Sequence, residues 1–239
     1  MQKLLTLFIA ITTCCLTFGQ IVINEYSCSN ISGPVDSYGN NEDWFELYNS
    51  GATNFDLTGF YLSDKASNLT KFEIPSGTIN AGGYLRVYCS AQNTVNAGEI
   101  HTNFKLTQTK NEKIIFSDNA GNVIDSLTIN FLTQTDHSYG RTNDGGNAWS
   151  IFTTPTPNAS NVGGINYYTE KPTFSLAPGF YAGAQNLSLS TSDASASIYY
   201  TLDGSIPTTA SNLYATPINI ATTTAVRARS FSSDPNTPA

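Results

Sequence analysis

Two histidines, His101 and His137, are the only imidazoles in the chain, and each stands alone in a polar, turn-like stretch with no second ligand or base at a fixed spacing. A hydrolytic triad needs a nucleophile, a base that reaches it and a third group that orients the base. No Gly-x-Ser-x-Gly elbow supplies the nucleophile, and Asp136 cannot orient His137 by adjacency alone. Glu42, Asp43 and Glu46 form the densest group of carboxylates. Glycoside cleavage would need one of them raised in pKa inside a pocket, which this spacing does not provide. Glu42 and Asp43 read as surface charge, while Glu46, on a strand that must be covered, reads as a buried carboxylate paired with an Arg such as Arg86 or Arg141. Asp36, Glu42 and Asp43 could offer oxygen ligands to calcium, but no spacing matches an EF-hand, and Asn30 to Asn41 reads as a solvated loop. No catalytic residue, cofactor site or metal site is therefore expected.

The positions of these residues follow from the stretch Glu42 to Asn49, which sets four large apolar side chains around Glu46 in a run too short for a helix. Alternation places Phe45 and Leu47 on one face and Trp44, Glu46 and Tyr48 on the other. Both faces are mostly apolar, so the strand belongs in the middle of a sheet. Gln20 to Tyr26 alternates as a first strand. Lys71 to Ile74, Tyr84 to Cys89, Lys113 to Ser117 and Val123 to Ile129 follow, each bounded by Gly, Asn, Pro or Asp. Thr153 to Ser160, with Pro155 and Pro157, changes the style of the chain and precedes Gly163-Gly164, which marks a boundary. Beyond it, Lys171 to Leu176, Leu187 to Ser190, Ser197 to Thr201 and Thr224 to Ser230 alternate again, the last with Val226 and Ala228 inward and Arg227 and Arg229 outward. The fold class is all-β: two sandwich modules in tandem. The aromatic pairs Tyr167-Tyr168, Phe180-Tyr181 and Tyr199-Tyr200 could stack on sugar rings, but alternation frees at most one member of each and core packing is their expected use.

Charged residues make up only 12% of the 239, against about 25% in an average protein. The net charge of −7, with no basic cluster, excludes nucleic-acid backbones and anionic membranes as partners. Lys3 and the apolar run Leu4 to Ile11 read as a secretory signal peptide over 1–19, cleaved before Gln20. The run falls short of the roughly 20 residues of a membrane span, and Thr13 and Cys14 are poor predecessors for a lipidated Cys14 or Cys15. Export leaves Cys28 and Cys89 in an oxidising compartment, each near a strand end. Two outcomes stay open, a bridge between them or two buried thiols, and the expectation is that they lie close enough to bridge.

Residues 20–160 resemble a lamin tail domain of the bacterial secreted type. The likeness is carried by Ile23-Asn24-Glu25-Tyr26, the strand Asp43 to Asn49 with Trp44, Glu46, Leu47 and Asn49, and Leu57-Thr58-Gly59 with Leu62-Ser63-Asp64. Ile79 to Leu85, Ser138-Tyr139-Gly140-Arg141 and Thr154 to Asn158 add to it. The resemblance implies an immunoglobulin-like sandwich without enzymatic activity, placed beside other modules in secreted or surface proteins. After a linker over 161–168, residues 169–239 resemble the C-terminal module of chitobiases and β-hexosaminidases. Here the likeness runs through Ile198 to Thr208, including Tyr200, Asp203, Gly204 and Pro207, then Leu213-Tyr214 and Pro217-Ile218. That module is accessory and holds none of the hydrolase's catalytic carboxylates. It normally closes with one further strand after the loop that begins at Phe231, so the stretch reads as incomplete, and the order of modules implies that a CotH kinase-like domain follows. The expected function is a secreted or cell-surface, non-catalytic scaffold whose partner is a protein or a glycan. The alternative is a carbohydrate-binding accessory module of a secreted hydrolase.

Overall fold

The computed structural model describes residues 20–234, 237 and 239, so the expected signal peptide over 1–19 lies outside the described residues. No helix among them is long and apolar enough to cross a membrane. The first module holds β1 (Ile21–Ser27), β2 (Trp44–Asn49), β3 (Phe55–Asp56), β4 (Tyr61–Ser63), β5 (Phe72–Glu73), β6 (Thr78–Ile79), β7 (Tyr84–Tyr88), β8 (Thr94–Asn96), β9 (Glu99–His101), β10 (Lys113–Ser117), β11 (Val123–Thr128), β12 (Ser138–Arg141) and β13 (Trp149–Phe152). A seven-stranded sheet runs β13-β12-β1-β2-β7-β9-β8, a four-stranded sheet runs β11-β10-β4-β5, and β3 pairs with β6. The strand β2 takes the middle of the larger sheet, as its two apolar faces require. The inner face carries Ile21, Ile23, Tyr26, Phe45, Leu47 and Val87 into one core with Leu62, Ile114 and Phe116 of the opposite sheet. β8, β9 and β13 carry too little alternation over three or four residues to be read from the sequence.

One irregularity decides which side chains reach the outer face. Strand β1 pairs with β2 as Ile23 opposite Leu47, then Glu25 opposite Glu46, so Asn24 is an extra residue in the ladder. Strict alternation would have pointed Glu25 into the core beside Ile21 and Ile23. The bulge turns it outward and returns Tyr26 to the core opposite Phe45.

The sulfur atoms do not bridge: Cys28 and Cys89 are free and buried. They follow the ends of β1 and β7, and β2 runs between those strands. With strands spaced about 4.8 Å, two strands that flank a third run about 10 Å apart, beyond the roughly 7 Å that a disulfide spans. Burial raises both thiols above their ordinary range.

The second module holds β14 (Thr173–Phe174), β15 (Gln185–Leu187), β16 (Leu189–Ser190), β17 (Ala196–Thr201), β18 (Asn212–Leu213), β19 (Ile218–Ile220) and β20 (Arg227–Ser232). The expected strand over Leu187 to Ser190 changes partner midway. Its first part pairs with β19, while Ser188 exchanges hydrogen bonds with Ser175 and β16 pairs with β14. Leu187, Leu189, Ile198 and Ile218 form a small core, and Val226 and Ala228 pack on it from β20. That strand runs past the expected end at Ser230, since Phe231 and Ser232 pair with Ser197 and Ala196. In the order β18-β17-β20 the far edge of β20 has no partner among the described residues.

Candidate functional site

The chemistry-bearing residues gather in three places. The first is the outer face of the large sheet, where the bulge at Asn24 sets Glu25 beside Glu46 under the segment 142–161. Both carboxylates are fully buried. Glu25 accepts from the Ser138 hydroxyl, from Thr156 N at 3.0 Å and from Thr156 Oγ1 at 2.8 Å. Glu46 accepts from Asn158 N and from Asn24 Nδ2 at 3.3 Å. Asp144 lies close by, bound by Asn24 Nδ2 at 3.0 Å, Tyr84 OH at 2.7 Å, Asn161 N at 3.1 Å and the Ser160 hydroxyl. Burial works against the Asp144 anion, but these donors outweigh it and hold its carboxyl below the ordinary range. Glu46 goes the other way: burial first, then the negative Glu25 and Asp144, push it up to about 8 against the donors that favour its anion. Glu25 is raised as well, chiefly by burial. The group at Glu46 is therefore a neutral acid at neutral pH.

The ion pair expected at Glu46 is absent. Neither Arg86 nor Arg141 pairs with Glu46. Arg141 sends Nη2 to Asp125 at 3.0 Å and Nε to the Ile23 carbonyl at 2.7 Å, and lies over the Trp149 ring. Arg86 faces Glu46 across the β2–β7 ladder, yet its guanidinium lies over the Tyr88 ring at 4.7 Å. A neutral carboxyl offers a cation little, whereas an aromatic face attracts one. Close packing also fixes a glycine here. A Cβ on Gly140 would sit 3.0 Å from Asn161 Nδ2, the Asn24 carbonyl oxygen and Glu25 Cγ. Gly140→Ala is expected to lower stability by about 1–3 kcal/mol. Urea unfolding followed by tryptophan fluorescence checks this, because Trp44 and Trp149 both lie in the first module. Unchanged stability would show that the cluster has room to spare.

The second place is His101, which lies in a strand and not in the polar, turn-like stretch expected. It ends β9 fully buried, stacked on Tyr88 and edge-on to Tyr38. Its Nδ1 lies 3.1 Å from Ser90 Oγ and 3.9 Å from Asp36 Oδ2, and its Nε2 lies 3.7 Å from Glu99 Oε2. No local pattern announces this Ser, His and acid grouping, because its members come from separate elements. Ser90 is itself buried, so no substrate reaches the hydroxyl. Asp36 is buried too, not solvated, and its Oδ1 closes the turn by accepting from Tyr38 N and Asn40 N. The other proposed oxygen ligands are engaged apart from it. Glu42 pairs with Lys105 at 3.1 Å, and Asp43 accepts from Asn30 N at 3.2 Å; both are half-buried, not free surface charge.

The third place is the seam between the modules. His137 Nδ1 lies 3.0 Å from Tyr168 OH, which also accepts from Gln134 N at 3.0 Å. Burial lowers the His137 pKa, opposed by Asp136 and reinforced by Arg229. Asp136 serves the loop instead, accepting from Ile31 N and Ser32 N. Gln134 Oε1 accepts from Arg229 Nη2 at 3.2 Å, tying the second module to the first. A groove of about 420 Å³ opens along this seam. Of the aromatic pairs, Tyr167 is exposed and Tyr168 half-buried, while Phe180 and Tyr181 are both exposed; all four lie outside any strand, so alternation does not govern them.

The remaining signature residues are structural. Asn49 Nδ2 donates to the Thr53, Ile79 and Asn80 carbonyls, and Gly59 takes a left-handed φ of 80° that a side chain would strain. In the second module Asp203 accepts from Ser205 N at 2.9 Å, Gly204 turns the chain with a φ of 78°, Pro207 is buried, and Tyr200 packs on the small core.

No curated protein matches the chain. Two family models do: the Lamin Tail Domain over residues 17–131 and the Chitobiase/beta-hexosaminidase C-terminal domain over residues 176–239. Both are immunoglobulin-like domains of a non-catalytic kind. In the structure the large sheet of the first module continues beyond the matched stretch through β12 and β13. The chain thus carries, in this order, a stretch similar to the Lamin Tail Domain and a stretch similar to the Chitobiase/beta-hexosaminidase C-terminal domain.

Proposed function

We propose that the chain is a secreted or cell-surface scaffold and interaction module without catalytic activity of its own, forming the N-terminal part of a larger protein in which a CotH kinase-like domain follows. What carries the reading is the use made of the reactive side chains. Glu25, Glu46 and Asp144 tie down the segment 142–161, and Ser90 with His101 is closed to solvent, so these groups serve packing. The second reading, carbohydrate recognition, is favoured by the exposed ring of Tyr167 beside the seam. Intact-mass measurement of the exported protein tests the lead reading. A chain beginning at Gln20 and extending into a further domain is the expected result. A chain retaining Met1, or one carrying acyl groups, overturns it.

A further inference from the structure

Packing was the expected use of every adjacent aromatic pair, yet Phe180 and Tyr181 are both exposed, Phe180 completely. They sit in the loop between β14 and β15, which Gly183 turns with a left-handed φ of 87°. Tyr181 is fixed there, because its hydroxyl donates to the Ala177 carbonyl at 2.6 Å and its ring stays outside the small core. A fully exposed Phe forgoes the stabilisation that burial of its side chain gives. One such ring on a surface is ordinary, so the groups beside the pair decide its use. The loop runs on into β15, where Asn186 stands opposite Asn219 of β19 with both side chains exposed. Asn219 Nδ2 donates to Asn186 Oδ1 at 3.0 Å. Among the described residues that leaves the amide donor of Asn186 and the acceptor oxygen of Asn219 open to solvent, side by side.

Charge is missing from this surface. Residues 172–192 and 204–226, which supply β14, β15, β16, β18 and β19, contain no Asp, Glu, Lys or Arg. An acidic peptide, a uronate or an anionic bilayer would therefore find no ion pair here. A partner protein would want a contiguous apolar patch, whereas the two rings are set among Gly179, Ala182 and Gly183 and are followed by the amides of β15. A sugar ring combines hydroxyls, each of which donates and accepts, with an apolar C–H face. The open donor and acceptor of the asparagine pair match the first, and an exposed aromatic ring matches the second.

We propose that the loop 177–184 and the outer face of β15 and β19 bind a neutral oligosaccharide, its rings laid against Phe180 and Tyr181 and its hydroxyls held by Asn186 and Asn219. The proposal rests on the carbohydrate-recognition reading but uses residues other than Tyr167, and the scaffold reading stands without it. Titration calorimetry of the full chain with cellohexaose, xylohexaose, mannohexaose and chitohexaose, and with hexagalacturonate as the charged control, tests it. Saturable binding of at least one neutral hexamer is expected, insensitive to salt, weakened about tenfold or more by Phe180→Ala and by Asn219→Ala, and unchanged by Tyr167→Ala. Phe180 and Asn219 are exposed, so these variants keep the fold, which an unchanged thermal transition verifies. Binding that survives Phe180→Ala would overturn this site and leave carbohydrate recognition standing. Preference for hexagalacturonate would overturn the neutral class of ligand. Absence of binding by every sugar would overturn the site and that reading together, and self-association abolished by Phe180→Ala in sedimentation would then give the rings to a second copy of the chain.

Discussion

The first module is expected to lose stability as the pH climbs from 4.5 to 8, which is an unusual direction for an acidic protein in that interval. The unfolded chain releases the Glu46 proton near 4.5, whereas the fold keeps it up to about 8. Between those values the folded state binds more protons than the unfolded one. Stability from this group is therefore full below 4.5, falls by about 1.4 kcal/mol per pH unit at most, and levels off above 8. The sum is on the order of 5 kcal/mol. Glu25, raised in the same direction, adds to the slope. His137 has the opposite sign: its folded pKa lies below 6.5, so it contributes stability above 6.5 that is lost as the pH falls through its folded value. Being half-buried, it offsets only the acid part of the interval. Urea unfolding of tryptophan fluorescence at pH 5, 6, 7 and 8 reads the module directly. Glu46→Gln, which cannot ionise, should flatten the profile. A wild-type profile that is flat or rises over the interval would refute the neutral carboxyl.

Asp144→Ala should be the most damaging polar substitution in the module. It removes the common acceptor of Asn24 Nδ2, Tyr84 OH, Ser160 Oγ and Asn161 N. Donors left unpaired cost about 1–3 kcal/mol each when buried, and with Asn24 and Asn161 buried the loss should reach about 2–4 kcal/mol. The segment 142–161 should then exchange its amide protons faster than the core strands do. The same substitution removes a negative charge beside Glu46, so the alkaline end of the pH profile should move to lower pH. A structural role alone would cost stability without moving that profile. Asp144→Asn separates the two effects, since it keeps an acceptor oxygen and drops the charge. It should shift the profile with a smaller loss of stability.

What the sequence determined by itself is the local pattern: the all-β class, the central place of Trp44 to Asn49, the strand Lys113 to Ser117 to the residue, and two modules in order. Alternation and turn residues act over a few positions, so they are legible without a fold. The tertiary structure alone decided whatever depended on a partner distant in the chain. A single inserted residue, Asn24, moved Glu25 from the core face to the outer face, where residues more than a hundred positions away cover it. Burial under that cover raises the Glu46 carboxyl, and Arg86 and Arg141 take other partners. His101 read as a loop residue because β9 has only three residues and pairs in parallel with β7, a contact that no local pattern announces. The strand order likewise placed β2 between the strands leading to Cys28 and Cys89, leaving both as thiols. At the seam Gln134 and Arg229, far apart in sequence, meet. Charge and burial at a site are properties of what surrounds it, and in a sandwich those surroundings are assembled from strands that the chain order does not place side by side.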